Sequence, residues 1–221
     1  MYLISLYFDD VTNERIQSYM NQIAKRTGND VMLAGKVPPH ITLSAFETTQ
    51  ESEAVAVFED LAKEFICGEI MWCSVGIFFP HTIYLLPVMN HYLFQMSEQA
   101  YQYISQIRQV KIHQRYQPFS WIPHSTIGKQ LSQTELKEAF VVMQEQFGMF
   151  RGTAVGIGLA KTNPYTDICR VWYDPVTGKC MNKTIRRQCR RVSNGNRISI
   201  DIMRSWNCIL DSSFYTGHDF R

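Results

Sequence analysis

One phrase is written twice in this chain: PPHITLSAFETTQE at residues 38–51 and WIPHSTIGKQLSQTE at residues 121–135. Each copy has a proline, then His, any residue, Thr and an apolar residue. Each continues to a Thr or Ser followed three residues later by Glu. The copies lie 84 residues apart, and that offset carries Pro39 to Pro123, His40 to His124, Thr42 to Thr126 and Gly68 to Gly152. Self-similarity at a fixed offset marks an internal repeat, so the doubled phrase sets the architecture.

Reading outward, residues 2–9 alternate as a strand does. Ile16, Met20, Ile23 and Ala24 make the apolar stripe of a helix over 12–27. Glycines and prolines make 28–39 a loop, and 40–46 reads as a strand. Val55, Phe58, Leu61, Ala62 and Phe65 share one helical face over 49–65. Aromatic and β-branched runs at 69–79 and 82–88 predict two strands. The order then recurs: helix 91–108, loop 109–122, strand 124–130, helix 133–147, strands near 152–162 and 167–173. The expected fold is α+β, a duplicated unit of strand, helix, strand, helix, strand. Thr48 with Glu51, and Ser132 with Glu135, each fit a capping box at a helix start.

Bulk properties narrow the class. The chain has 221 residues, enough for one domain or two lobes with a shared core. No apolar run reaches the roughly 18 residues of a membrane span, so no membrane partner is expected. The start, MYLISLYFDD, reads as a strand rather than a signal peptide. The six cysteines include no C-x-x-C pair and read as reduced thiols of a cytoplasmic protein. Residues 176–221 hold nine Lys/Arg and three acids, so this tail is +6 and residues 1–175 are −4, within a net +2. We divide the chain into a domain over 1–175 and a basic, poorly ordered tail over 176–221 whose removal leaves the chemistry of the domain intact.

The doubled phrase has chemical content. Side chains alternate along a strand, so His40 shares a face with Thr42, and His124 with Thr126. Packed about a pseudo-two-fold axis, the repeats would set two imidazoles beside two hydroxyls across a groove. That set suits in-line displacement at phosphorus. One imidazole takes a proton from the attacking oxygen and the other gives one to the departing oxygen. Histidine's ordinary pKa of about 6.5 makes both forms accessible near neutrality. The Thr hydroxyls donate to the non-bridging oxygens. Acid, base and anion donors are all protein groups, so no metal or other cofactor is required. The remaining histidines show no H-x-x-x-H spacing, and no phosphate-binding glycine loop is present.

HITL at 40–43 and HSTI at 124–127, with the WIPHSTIGK context, resemble the paired signatures of the two-histidine (2H) phosphoesterase superfamily. The bacterial RNA 2′,3′-cyclic phosphodiesterases, or 2′-5′ RNA ligases, are most similar. The resemblance implies a bilobal fold in which two antiparallel sheets form a V-shaped groove with helices outside. It implies a metal-independent enzyme acting on RNA ends or small nucleotides with a 2′,3′-cyclic phosphate, and a monomer. By the same resemblance His124 would activate the water, His40 would serve the leaving ribose oxygen, and Thr42 and Thr126 would hold the phosphate. A non-catalytic RNA- or nucleotide-binding module on the same fold is the alternative.

Five further residues are candidates for substrate contact. Cations and rings interleave in the loop QVKIHQRYQPFSWIP, where Arg115, Tyr116 and Trp121 suit single-stranded RNA; Phe119 and Trp121 there could equally be packing residues. Phe46 shares the alternation of His40 and Thr42 and could stack on a base. Lys129, five positions after His124, reaches the site only if the strand ends or bulges before it.

Overall fold

The computed structural model describes residues 1–162 and 164–185. In chain order its elements are β1 (Tyr2–Phe8), α1 (Asp10–Thr27), the single turn α2 (Val31–Ala34), β2 (Ile41–Glu47), α3 (Glu51–Lys63), β3 (Gly68–Phe78), β4 (Thr82–Pro87), α4 (His91–Ile104), β5 (Lys111–Ile112), β6 (Ser125–Gly128), α5 (Gln133–Gln146), β7 (Phe150–Lys161), β8 (Thr166–Tyr173) and β9 (Cys180–Ile185). The unit of three strands and two helices therefore occurs as β1-α1-β2-α3-β3 and again as β4-α4-β6-α5-β7.

The two repeats exchange their third strands. β3 pairs with β4 of the second repeat, and β7 pairs with β1 of the first. Among the described residues all pairings are antiparallel, and the strand order is β5-β2-β1-β7-β3-β4-β6, with β8 on β7 and β9 on β8. The two expected sheets thus meet along a seam where Gly68 lies opposite Ala154, Glu69 opposite Thr153 and Ile70 opposite Gly152. The repeat offset carries Gly68 to Gly152, Glu69 to Thr153 and Ile70 to Ala154. Repeat equivalence and strand register coincide, so a pseudo-dyad passes through the Glu69–Thr153 pair.

The helix starts lock this seam. Asp9 caps α1 and accepts a hydrogen bond from the Thr153 N–H at 2.7 Å. Asn90 caps α4 and donates from Nδ2 to the Glu69 carbonyl at 2.9 Å. Both caps satisfy orphan helix N–H groups while gripping the seam strand. The helices also pair across repeats, α1 on α5 and α3 on α4. Ile16, Met20 and Ile23 of α1, Phe58 and Leu61 of α3, and Ile4, Leu6 and Trp72 of the sheet are almost fully buried. Each such side chain contributes roughly 1.5–3 kcal/mol by leaving water.

Only one of the two expected capping boxes forms. Ser132 and Glu135 make it at α5. At α3 the helix starts at Glu51, and Thr48 accepts from the Gln50 N–H instead. Glu51 is drawn away by the Tyr2 hydroxyl and the Lys161 ammonium, which is a stronger, charge-assisted partner than a backbone N–H.

Residues 180–185, counted with the tail by composition, form β9 on the edge of β8. The turn before it is closed by Asp174, whose carboxylate accepts from the N–H groups of Val176 and Thr177 at 2.9 and 2.7 Å. A cut that spares this sheet edge therefore falls after Ile185; residues 186–221 lie outside the described residues.

A Cβ at residue 152 would stand 1.9 Å from the Thr12 hydroxyl, and one at residue 68 would stand 2.4 Å from the Tyr92 ring. Thr12 is itself held by Asp9 at 2.9 Å. Gly152→Ala is therefore expected to destabilise the protein by about 1–3 kcal/mol through overpacking at the seam. Urea denaturation should show a lower midpoint at unchanged slope; an unchanged midpoint would mean the seam is loose.

Candidate active site

Two matching bulges aim the motifs. Between β1 and β2 the register runs Ile4 opposite Ser44, then Ser5 opposite Thr42, which leaves Leu43 as the extra residue. Between β4 and β6 it runs Ile83 opposite Gly128, then Tyr84 opposite Thr126, which leaves Ile127 extra. Leu43 and Ile127 are related by the repeat offset, and both are buried. A one-residue slip turns every later side chain to the other face. Before the bulge, Thr42 stands beside Ser5, and His40 lies beside Tyr7, with ring centroids 6.4 Å apart. After it, Phe46 faces the core, fully buried and stacked on Tyr2 at 5.5 Å. Phe46 therefore belongs to the core and is not a base-stacking surface in this structure. Strict alternation placed it on the site face because the bulge is invisible in sequence. The same device works in reverse on Lys129: β6 ends at Gly128, and Lys129 is exposed and close enough for its charge to act on His40.

The two imidazoles are held alike. His40 Nδ1 lies 2.8 Å from the Pro38 carbonyl oxygen, and His124 Nδ1 lies 2.8 Å from that of Ile122. A carbonyl only accepts, so each Nδ1 carries the hydrogen and each Nε2 is the nitrogen left for chemistry. The prolines after these carbonyls, Pro39 and Pro123, are both buried. They restrict the backbone that presents each ring.

Their surroundings differ. His40 lies against Tyr7, and the Arg170 guanidinium sits 4.0 Å from the centroid of that same Tyr7 ring. Arg170 is fixed by Asp167, with both carboxylate oxygens 2.7 Å from its Nη2, and Tyr165 links Asp167 to the Tyr7 hydroxyl at 2.9 and 3.0 Å. Burial pushes the His40 imidazole down to about 4, and the positive charges of His124, Arg170 and Lys129 push the same way. His124 instead meets two ring edges, Phe78 at 4.8 Å and Tyr84 at 5.4 Å. Burial lowers it too, and the charge of Arg115 adds to that. The charge of His124 acts on His40, so the two rings lie near each other.

The hydroxyls are also unequal. Thr42 is buried, with its side chain near the Tyr116 hydroxyl. The Thr42 carbonyl accepts from the Trp121 indole N–H at 2.9 Å. Thr126 is partly exposed opposite Tyr84. Ser125, between the two motif side chains, points inward and accepts from the Trp72 indole at 3.3 Å. Of the residues singled out by sequence, the structure thus brings His40, His124, Thr42, Tyr116, Trp121, Arg115 and Lys129 into one neighbourhood and removes Phe46. Sequence reasoning missed Tyr7, Phe78, Tyr84 and Arg170. A signal existed: Arg170 and Trp172 alternate on β8 opposite Gly158 and Gly156, glycines that leave room for the Tyr7 and Trp172 rings.

A duplicated α+β fold carrying paired His-x-Thr motifs defines the class of two-histidine phosphoesterases. The model of the 2′-5′ RNA ligase superfamily matches residues 9–164, and the chain belongs to that family. Among solved structures, the chain is similar to Escherichia coli LigT in apo form, at 14% identity, covering 84% of this chain and 94% of that one, with a TM-score of 0.46. LigT complexed with 3′-AMP matches at 12% identity over 84% and 94%, with a TM-score of 0.46. A structure described as a phosphoesterase matches at 12% identity over 85% and 98%, with a TM-score of 0.47. No curated protein matches. Among the described residues, no helix is long and apolar enough to cross a membrane.

The depressed His40 has a consequence for stability. Its folded value lies below its ordinary 6.5, so the unfolded chain binds the proton more readily. Stability present above pH 6.5 is lost as the pH falls toward 4, by about 3 kcal/mol over that span. His40→Asn should flatten this part of the stability–pH curve measured by urea denaturation. An identical curve for both proteins would show that burial does not hold the ring neutral.

Proposed function

We propose that the protein is a metal-independent phosphodiesterase that opens 2′,3′-cyclic phosphates on RNA ends or small nucleotides. Membership of the 2′-5′ RNA ligase superfamily supports the general chemistry. The observation that carries the reading is the matched anchoring of His40 and His124 at Nδ1, which leaves two Nε2 atoms for proton transfer.

In this reading His40 is the base. Burial and three neighbouring cations favour its neutral form, so its bare Nε2 accepts a proton from water. The water oxygen bonds to phosphorus as the bond from phosphorus to one ribose oxygen breaks. His124, protonated at Nε2 when the substrate anion arrives, gives that proton to the departing oxygen. This division is the reverse of the one implied by the family resemblance. Its physical reason is Arg170, which Asp167 holds in place on the His40 side, whereas Arg115, the cation that acts on His124, is exposed. Thr126 donates to a non-bridging oxygen, Thr42 does so once its hydroxyl turns from Tyr116, and Lys129 balances the charge that builds there. Trp121 and Tyr116 hold Thr42 in place, and Arg115 faces the substrate's phosphates.

The test uses two substrates in excess chelator. On a 2′,3′-cyclic nucleotide, His40→Ala and His124→Ala should each lower kcat/KM on the order of 10²-fold or more. On a phosphodiester with a p-nitrophenolate leaving group, which departs without a proton, His124→Ala should recover most of its loss while His40→Ala should not. The opposite pattern would exchange the two roles. Wild-type turnover that vanishes with the chelator would overturn the metal-independent mechanism. Binding of cyclic nucleotides without any turnover would make the protein a binding module.

A further inference from the structure

The loop between α4 and β6 is pinned to β2 on both sides of one residue. The His113 N–H donates to the Ala45 carbonyl at 2.8 Å, Tyr116 lies near the Thr42 side chain, and the Trp121 indole donates to the Thr42 carbonyl at 2.9 Å. Between these anchors, residues 117–120 form a tight turn closed by the Ser120 N–H on the Gln117 carbonyl at 3.1 Å. Pro118 takes the second place of that turn and Phe119 the third.

Phe119 has φ +64° and is 98% exposed. The third place of a turn with positive φ suits Gly or Asn, and a bulky residue there is a genuine outlier. The ring also forgoes the burial that makes phenylalanine useful to a fold. Neither turn chemistry nor packing accounts for this side chain. The contrast with Trp121 is direct: Trp121 is half-buried, bonded to Thr42 and packed on the core, whereas the Phe119 ring stands in solvent among the described residues.

Position supplies the ligand. Phe119 lies two residues from Trp121, so its backbone is within about 7 Å of the Trp121 backbone, and the Trp121 indole in turn reaches the Thr42 carbonyl. That is the reach of the next nucleotide or two beyond a phosphate held by the Thr hydroxyls. Lys111, His113 and Arg115 are exposed on the same loop, and the charge of Arg115 acts on His124. A flat apolar ring between cations matches single-stranded RNA, in which bases stack and phosphates meet positive charge.

We infer that Phe119 is a base-stacking subsite for a nucleotide adjoining the terminal one, which makes single-stranded RNA the preferred substrate over a mononucleotide. The inference rests on the proposed phosphodiesterase site and deepens it. Two readouts separate the two ideas. For binding, an RNA trinucleotide ending in a 3′-phosphate is compared with a nucleoside 3′-phosphate by titration against wild type, Phe119→Ala, Phe119→Leu and Phe119→Trp. For turnover, the matching cyclic phosphates are compared by kcat and KM. Stacking of one base corresponds to roughly a 5- to 150-fold effect. The preference for trinucleotide over mononucleotide should fall by that factor in Phe119→Ala and Phe119→Leu, through KM rather than kcat. Phe119→Trp should restore it, with indole fluorescence quenched by the trinucleotide. Equal affinity of the wild type for both ligands would overturn the subsite, as would a variant that loses both equally. Phe119-dependent binding by a protein that turns over neither cyclic phosphate would overturn the proposed activity and leave the subsite standing.

Discussion

The pairing of β3 with β7 across Glu69 and Thr153 is the constraint on which the rest depends. At that point the repeat offset and the antiparallel register agree, so the strands related by duplication are also hydrogen-bonded partners. Each repeat must then complete its sheet with a strand from the other, and each helix packs on a helix from the other. Neither repeat can bury its apolar face alone. Asp9 and Asn90 tie the first helix of each repeat to this seam, which couples helix nucleation to strand pairing. The symmetry of the fold is the reason two motifs far apart in sequence present the same groups toward one site.

Within that frame, precision comes from small devices used twice. A bulge at Leu43 and another at Ile127 turn the end of each motif strand, so the His and Thr before the bulge face the site and the residues just after it return to the core. A proline-flanked carbonyl holds each imidazole by Nδ1. These contacts fix the tautomer and the direction of Nε2, which composition cannot do.

The two halves differ around their imidazoles. Arg170, oriented by Asp167 and resting on Tyr7, supplies a fixed charge on the His40 side, while Phe78 and Tyr84 give His124 an aromatic wall. The loop before β6 adds a second asymmetry. It lays Tyr116 and Trp121 against Thr42 and leaves Phe119 in water.

Sequence by itself determined the duplication, the order of elements and the paired His-x-Thr motifs. Those follow from local periodicity and from residue types at a fixed offset, both of which a linear reading preserves. Tertiary structure decided that the third strands are exchanged, that Phe46 is core, that Lys129 and Arg170 bear on His40, and that Phe119 is exposed where Trp121 is not. Strand register, bulges and through-space charge join residues distant in the chain. A single bulge reverses every facing inferred from alternation, and nothing in the residues that flank it announces that it is there.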